Sequence, residues 1–76
     1  MSSKLPLISA RTCIKALQTI GFQVDRQNGS HIILVRDKPE PATVSVPERK
    51  EIPRGTLRNI IRQAGLTVEE FLPLLD

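Results

Sequence analysis

The chain contains one cysteine, one histidine, two phenylalanines and no tyrosine or tryptophan. The lone Cys13 permits no internal disulfide, and no cluster of Cys and His residues is present that would hold a structural zinc. Aromatic side chains are too few for a sheet that recognises RNA by stacking bases. No apolar run approaches the ~20 residues of a membrane span, and the first residues lack the apolar core of a signal peptide. These absences predict a cytoplasmic protein with no metal, no cofactor and no membrane partner.

Length and charge restrict the possibilities further. A chain of 76 residues predicts one domain, 1–76, with a small core that association with a partner would help to stabilise. All 11 Lys and Arg residues lie within 1–62, together with five of the eight acidic residues. The resulting net positive charge of this region allows an anionic partner without proving one.

The first periodic segment predicts a helix over 10–20. Its apolar residues follow helical spacing, and they are Ala10, Cys13, Ile14, Leu17 and Ile20. Ser9 stands at the position of an N-cap, and Gly21 stands where a left-handed C-terminal residue is favoured. Arg11 and Lys15 fall on the solvent side.

The spacing then changes from helical to alternating. Residues 22–26, 31–35 and 43–46 are predicted to form three strands. The Asn28-Gly29 pair predicts a tight hairpin between the first two strands. Residues 37–41 are predicted to form a loop, and the short connections predict an antiparallel meander.

The remaining residues predict two helices after a charged loop at 48–55. The first carries Leu57, Ile60, Ile61 and Ala64 on one face and ends at Gly65. The second begins with a capping box of Thr67 and Glu70 and carries Val68, Phe71, Leu72 and Leu75. The predicted class is therefore α+β, in the order α-β-β-β-α-α, with helices covering one face of a three-stranded antiparallel sheet.

The second strand is apolar at every position of 32–35. If Ile32 and Leu34 face the helices, Ile33 and Val35 lie beside His31 on the opposite face. Two interpretations remain open: ordinary β propensity of a central strand, or an apolar strip that another protein covers.

His31 is the first candidate for acid–base chemistry, because imidazole is the side chain that ordinarily titrates nearest neutrality. It follows a turn whose small residues, Gly29 and Ser30, would let an anionic ligand approach the backbone. A structural or incidental role for this histidine also remains open. Cys13, on an apolar helix face, is interpreted as a small core residue.

Basic residues recur every four positions at Arg54, Arg58 and Arg62. Such a stripe lies along one flank of a helix. Arg49 and Lys50 stand just before this helix, and Arg26 and Arg36 lie on neighbouring strands, so together these residues could bind phosphates. A solvated helix face is an equally good interpretation of this spacing.

Several motifs, in this order and at these separations, resemble the HicA-type toxins, which are small ribonucleases of bacterial toxin–antitoxin pairs. The resemblance covers nearly the whole chain. The motifs are Lys4-Leu5-Pro6, Leu17-Gln18-Thr19-Ile20-Gly21-Phe22, Arg26-Gln27-Asn28-Gly29-Ser30-His31, and the segment from Gly55-Thr56-Leu57-Arg58 to Gln63-Ala64-Gly65-Leu66.

The resemblance implies a fold like that of the double-stranded RNA-binding domain, cleavage of mRNA with His31 as the catalytic residue, and a HicB-type antitoxin that masks His31. We expect Ile33 and Val35 to join that antitoxin-binding surface, and we expect cleavage without a metal. The residues expected to contact RNA are Arg26, Gly29, Ser30, Arg36, Lys50, Arg54 and Arg58. An RNA-binding module without catalysis is the alternative.

Overall fold

A computed structural model describes residues 5–75 of the chain. Lys4, the first residue of the Lys4-Leu5-Pro6 motif, lies outside the described residues. The elements are α1 (Ala10–Gln18), β1 (Gln23–Asn28), β2 (His31–Arg36), β3 (Ala42–Pro47), α2 (Arg54–Gln63), α3 (Val68–Phe71) and a 3₁₀ turn (Leu72–Leu74). The α+β class and the predicted order of elements are confirmed.

Helix α1 begins as its sequence predicts and ends slightly earlier. The Ser9 hydroxyl accepts a hydrogen bond of 3.1 Å from the Thr12 amide, which is the expected N-cap. The helix ends at Gln18, so Ile20, predicted as helical, lies in the following turn. Gly21 has a φ of +101°, a conformation that favours glycine and lets the chain leave the helix.

The three strands form one antiparallel sheet in the order β1-β2-β3. Asn28 is paired with His31, so the hairpin turn consists only of Gly29 and Ser30. Gly29 has a φ of +62°, and glycine at the first position is typical of a two-residue type II′ turn. The predicted hairpin is confirmed, but Asn28 belongs to the strand and not to the turn.

One face of the sheet is covered by α1 and α2, both of which pack against β3. Leu34, Val44 and Val46 are fully buried on this covered face, and Ile32 packs against the same core. Because side chains alternate along a strand, Ile33 and Val35 point to the opposite face, as predicted. We call this opposite surface, which carries His31, Ile33 and Val35, the open face.

The alternating burial predicted for 22–26 holds only at Phe22, which is buried but precedes β1. All six residues of β1 are exposed, including Val24 at 50%. Strand β1 lies at the edge of the sheet, away from β3 and the two helices that pack on it. Its register also shifts between Val24 and Arg26, a bulge of the kind that breaks regular alternation.

The C-terminal part agrees closely with its sequence. The predicted core side chains Leu57, Ile60, Ile61 and Ala64 are buried. Helix α2 starts at Arg54, within the segment predicted as loop, because Pro53 fixes a φ close to helical geometry just before it.

The predicted capping box is present at the next helix. The Thr67 hydroxyl accepts from the Glu70 amide at 3.1 Å, and the Glu70 carboxylate accepts from the Thr67 amide at 2.9 Å. Helix α3 is shorter than predicted, because Pro73 lacks the N–H that a continuing α-helix needs. Across residues 5–75, no helix has the length and apolar character to cross a membrane.

Candidate functional site

His31 is the first residue of β2 and lies at the end of the sheet beside the hairpin turn. It pairs with Asn28 on β1 and with Pro47 on β3, and its side chain is exposed. The strand pairing fixes its backbone from both sides, while its side chain remains accessible to a ligand.

The open face places an apolar strip next to the imidazole. Ile33 and Val35 follow His31 at alternate positions of β2, and both are half-buried although neither belongs to the core. Ile33 is opposite Arg26 on β1 and Ser45 on β3, and directly opposed side chains share a face. One surface therefore combines an imidazole, an arginine and two aliphatic side chains.

The loop after β3 is attached to the β1–β2 hairpin by two hydrogen bonds. The Glu48 amide donates to the Ser30 carbonyl at 2.7 Å, and the Gln27 side-chain amide donates to the Glu48 carboxylate at 2.9 Å. The same Gln27 amide also donates to the Gly29 carbonyl at 3.1 Å, within the hairpin. Arg49 and Lys50 directly follow Glu48, so these bonds hold two basic residues of the loop near the turn that carries His31.

The same loop is also attached to α1. The Ala10 amide donates to the Arg49 carbonyl at 2.9 Å, and the Ile52 amide donates to the Ile8 carbonyl at 2.8 Å. The loop therefore connects the His31 turn to the beginning of α1, which positions Lys50 between these two elements.

The residues predicted to contact RNA divide into two groups. Gly29 and Ser30 form the exposed turn before His31, and Lys50 lies in the loop attached to that turn. Arg26 lies on the open face, where it forms an exposed ion pair with the neighbouring Asp25. The structure therefore brings these four residues and His31 to one end of the sheet.

Arg36 lies elsewhere. It is five residues from His31 along β2, a separation of roughly 17 Å in an extended strand, and it points to the covered face. Its guanidinium lies 4.6 Å from the centroid of the Phe22 ring and donates to the carbonyls of Ile20 and Ala64, each at 3.4 Å. These contacts give Arg36 a structural role.

Arg54 and Arg58 belong to the helical layer. Arg54 Nε donates to the Leu5 carbonyl at 2.6 Å, which attaches the N-terminal segment to the start of α2. Arg58 is exposed on the same helix. Because α2 packs on the covered face, neither arginine lies on the surface that carries His31.

Sequence reasoning did not identify Gln27 as part of this region. Gln27 was interpreted only as a turn residue, and its contact with Glu48 spans 21 residues of sequence. A Gln close to an Asn-Gly pair carries no local signal for such a contact, so only the folded chain reveals it.

The remaining chemistry-bearing groups do not extend the site. Cys13 is buried, and burial raises the pKa of its thiol to about 12, which leaves it protonated and unreactive near neutrality. Within residues 5–75, no group of three or more His, Cys, Asp and Glu side chains is arranged to hold a metal ion.

Comparison with known proteins identifies the family of the chain. No curated protein matches the chain. A family model described as the HicA toxin of bacterial toxin-antitoxin matches residues 10–66. The match runs from the first residue of α1 to beyond the end of α2, and it includes His31 and the whole sheet. The chain therefore belongs to the HicA toxin family of bacterial toxin–antitoxin systems.

Proposed function

We propose that this HicA toxin is an endoribonuclease that cleaves mRNA without a metal, with His31 as its general acid and base. We further propose that a HicB-type antitoxin neutralises it by covering His31 together with Ile33 and Val35. The observation that supports the cleavage proposal is the position of the chain's single histidine. Its exposed imidazole lies at the end of the sheet, beside a small-residue turn and the attached loop that carries Arg49 and Lys50.

The reaction most simply uses the neighbouring 2′-hydroxyl of the RNA as the nucleophile. A base removes the proton of this hydroxyl, the 2′-oxygen forms a bond to phosphorus, and the bond from phosphorus to the 5′-oxygen breaks. The leaving 5′-oxygen takes up a proton. The products are a 2′,3′-cyclic phosphate and a 5′-hydroxyl, and no metal is needed to balance these steps.

A two-histidine mechanism is excluded, because the chain contains one histidine. The imidazole of His31 takes the proton from the 2′-hydroxyl and, as imidazolium, returns one to the 5′-oxygen, or water performs one of these transfers. Positive charge near the phosphate stabilises the transition state. Arg26, which lies on the open face with His31, is a candidate for this role.

The Gly29-Ser30 turn contributes space and not charge. A Cβ added to Gly29 would meet no other atom within 4 Å, so the backbone there is open to a ligand. The exposed Ser30 is adjacent to His31. We therefore place the scissile phosphate over this turn, where backbone and side-chain donors reach it without obstruction.

The antitoxin proposal depends on the combination of residues on the open face. A partner that buries Ile33 and Val35 removes apolar surface from water, at roughly 25 cal/mol per Å². Because His31 shares that face, the same contact occludes the imidazole. Inhibition then needs no change in the conformation of the toxin.

The decisive experiment compares wild type, His31→Ala and His31→Gln on a long RNA, with product termini analysed. General acid–base catalysis typically contributes 10²–10⁴-fold, so we expect both variants to lose roughly that factor. Gln23→Ala, which replaces an exposed polar residue on β1, serves as the matched control and should cleave normally.

Stability and metal dependence complete this test. Because His31 is exposed, both variants should remain within about 0.5 kcal/mol of the wild-type free energy of unfolding. Cleavage should persist in EDTA. If folded His31→Ala cleaves RNA at the wild-type rate, the catalytic assignment is refuted. Activity that is lost in EDTA and restored by Mg²⁺ would refute metal independence. RNA binding by the wild type without cleavage would identify a non-catalytic RNA-binding module.

A further inference from the structure

A second basic surface lies on the other side of the His31 end of the sheet. It is a groove of about 800 Å³ between α1 and the loop that follows β3. Ile14 of α1 and Ile32 of β2 form part of its apolar lining. Ile32 directly follows His31 in the chain, so the groove and the imidazole lie on opposite faces of the same end of β2. We call this surface the α1 groove.

Four cations surround the α1 groove. Arg11 and Lys15 come from α1, where a separation of four residues places them on one side of the helix, and Arg49 and Lys50 come from the loop. All four are exposed. The ion pair found among residues 5–75 joins Arg26 and Asp25. None of the four cations of the groove is therefore in an ion pair with another residue of this part of the chain.

One acidic residue, Glu48, also lines the α1 groove. Its carboxylate accepts a hydrogen bond from the Gln27 side chain, which orients it toward the hairpin turn. Helix α1 begins at Ala10 on this groove and adds the partial positive charge of its N-terminus. The lining therefore has four basic residues against the single acidic residue Glu48, and Glu51 follows Lys50 in the same loop.

We infer that the α1 groove binds the phosphate backbone of the RNA strand beyond the nucleotides held at His31. This inference rests on the proposed ribonuclease function and extends it to a second contact region. Clustered cations attract a polyanion. When they neutralise the phosphates of a nucleic acid, the counterions condensed on that nucleic acid are released, which favours binding. Arg11 and Lys15, which the sequence pattern placed only on the solvent side of α1, become binding residues together with Arg49.

Continuity with the His31 turn favours RNA over an acidic protein segment. The loop that supplies Arg49 and Lys50 is hydrogen-bonded to Ser30 at one end and to Ala10 at the other. A strand that passes over His31 and rounds the end of the sheet thus meets a continuous series of cations. Arginine and lysine side chains that contact the phosphates of the RNA bind any base sequence, so the groove adds affinity and not base specificity.

The test measures RNA binding in a His31→Ala background, so that cleavage does not interfere. A fluorescein-labelled single-stranded RNA is titrated by anisotropy over a series of KCl concentrations. The test variant carries Arg11→Ala and Lys15→Ala. The control carries Lys38→Ala and Arg62→Ala, which removes the same charge from exposed positions outside the groove.

The expected result is weaker binding by the groove variant and a shallower salt dependence. Each phosphate contact to a single strand contributes about 0.7 to the slope of log K against log salt, so losing two contacts reduces the slope by about 1.4. The control should keep the parental slope. Circular dichroism and thermal melting confirm that both proteins are folded.

Two results would overturn the inference. The first is a groove variant whose affinity and salt slope equal those of the control. The second is an oligo-glutamate peptide that binds the parental protein as tightly as RNA and loses its binding in the groove variant, which would assign the surface to an acidic protein partner. Because these measurements do not involve cleavage, their failure leaves the ribonuclease proposal to be judged by the His31 variants alone.

Discussion

The backbone amide of Glu48 donates a hydrogen bond of 2.7 Å to the carbonyl of Ser30, the residue directly before His31. This contact joins the loop after β3 to the β1–β2 hairpin. Gln27 strengthens the connection, because one side-chain amide contacts both Gly29 and Glu48. Gln27 therefore helps to set the geometry of the turn before His31 through its hydrogen bonds to Gly29 and Glu48.

Replacing Gln27 with Ala should reduce RNA cleavage while leaving the fold intact. The lost hydrogen bonds contribute about 0.5–1.5 kcal/mol each, and their effect on the position of the loop should lower kcat/KM by about tenfold. Thermal melting should show a single cooperative transition lowered by several degrees, because about 1 kcal/mol shifts the melting temperature of a domain of this size by roughly 4–8 °C. Gln23→Ala, at the other end of β1, should retain wild-type cleavage.

A second variant separates positioning from charge. Glu48→Gln keeps an acceptor oxygen for Gln27, so cleavage should stay near wild type or rise as a negative charge near the RNA path is removed. If Gln27→Ala cleaves as fast as Gln23→Ala, Gln27 has no positioning role.

Replacing Ile33 with Lys should weaken binding of a cognate HicB-type antitoxin. A charge on the open face prevents burial of the apolar strip, and loss of a central interface contact typically costs 2 kcal/mol or more, or about 30-fold in Kd. Calorimetry measures the affinity, and the RNA cleavage assay with antitoxin present measures escape from inhibition.

Val24→Lys is the matched control for this surface. Val24 is 50% exposed and lies opposite Leu34, which assigns it to the other face of the sheet. The control should bind antitoxin normally. Equal antitoxin affinity for Ile33→Lys and wild type would rule out the open face as the binding surface.

Arg36→Met should destabilise the protein by about 1–3 kcal/mol, because it removes a cation over the Phe22 ring and two hydrogen bonds to carbonyls. The Ile20 and Ala64 carbonyls follow the ends of α1 and α2, where a cation is favoured by both helix dipoles. Urea unfolding measures the change, and Arg58→Met should shift stability by less than about 0.5 kcal/mol.

The same variant tests the sequence-based expectation that Arg36 contacts RNA. A structural role predicts an unchanged salt slope of RNA binding for the folded variant. A stable Arg36→Met protein with a reduced slope would instead place Arg36 in the RNA interface.

The protein should lose stability as the pH rises above 9, and Cys13 should account for part of this loss. Burial raises the pKa of the Cys13 thiol from 9.0 to about 12. Above pH 9 the unfolded chain therefore releases a proton that the folded chain retains, so the free energy of unfolding falls by up to about 1.4 kcal/mol per pH unit.

Urea unfolding at pH 8 and pH 10 measures this dependence in wild type and in Cys13→Ala. The variant should show a smaller decrease between the two values, whatever its stability at pH 8. An identical decrease in both proteins would show that the thiol does not contribute.

Local pattern was sufficient to predict much of this fold. The Ser9 cap, the hairpin at Asn28-Gly29 and the Thr67 capping box each depend on residues within a few positions of one another, and all three are confirmed. Side-chain alternation along β2 predicted that Ile33 and Val35 share a face opposite to Ile32 and Leu34, but not which of the two faces meets the core. The alternating burial predicted for the first strand fails beyond Phe22, because the helices pack on β3 at the opposite edge.

By itself, the sequence determined the order of the elements and the hairpin before His31, because helical and strand periodicities and turn signals are set by neighbours in the chain. The side of β2 that packs on the helices was decided by the fold, since residues 32–35 are apolar on both sides. Only the tertiary structure decided that Arg36 contacts Phe22 between two helix ends, that Gln27 holds Glu48, and that Arg11 and Lys15 face Arg49 across a groove. These relationships join residues far apart in sequence, and their free energies depend on distances that exist only once the sheet and helices have packed.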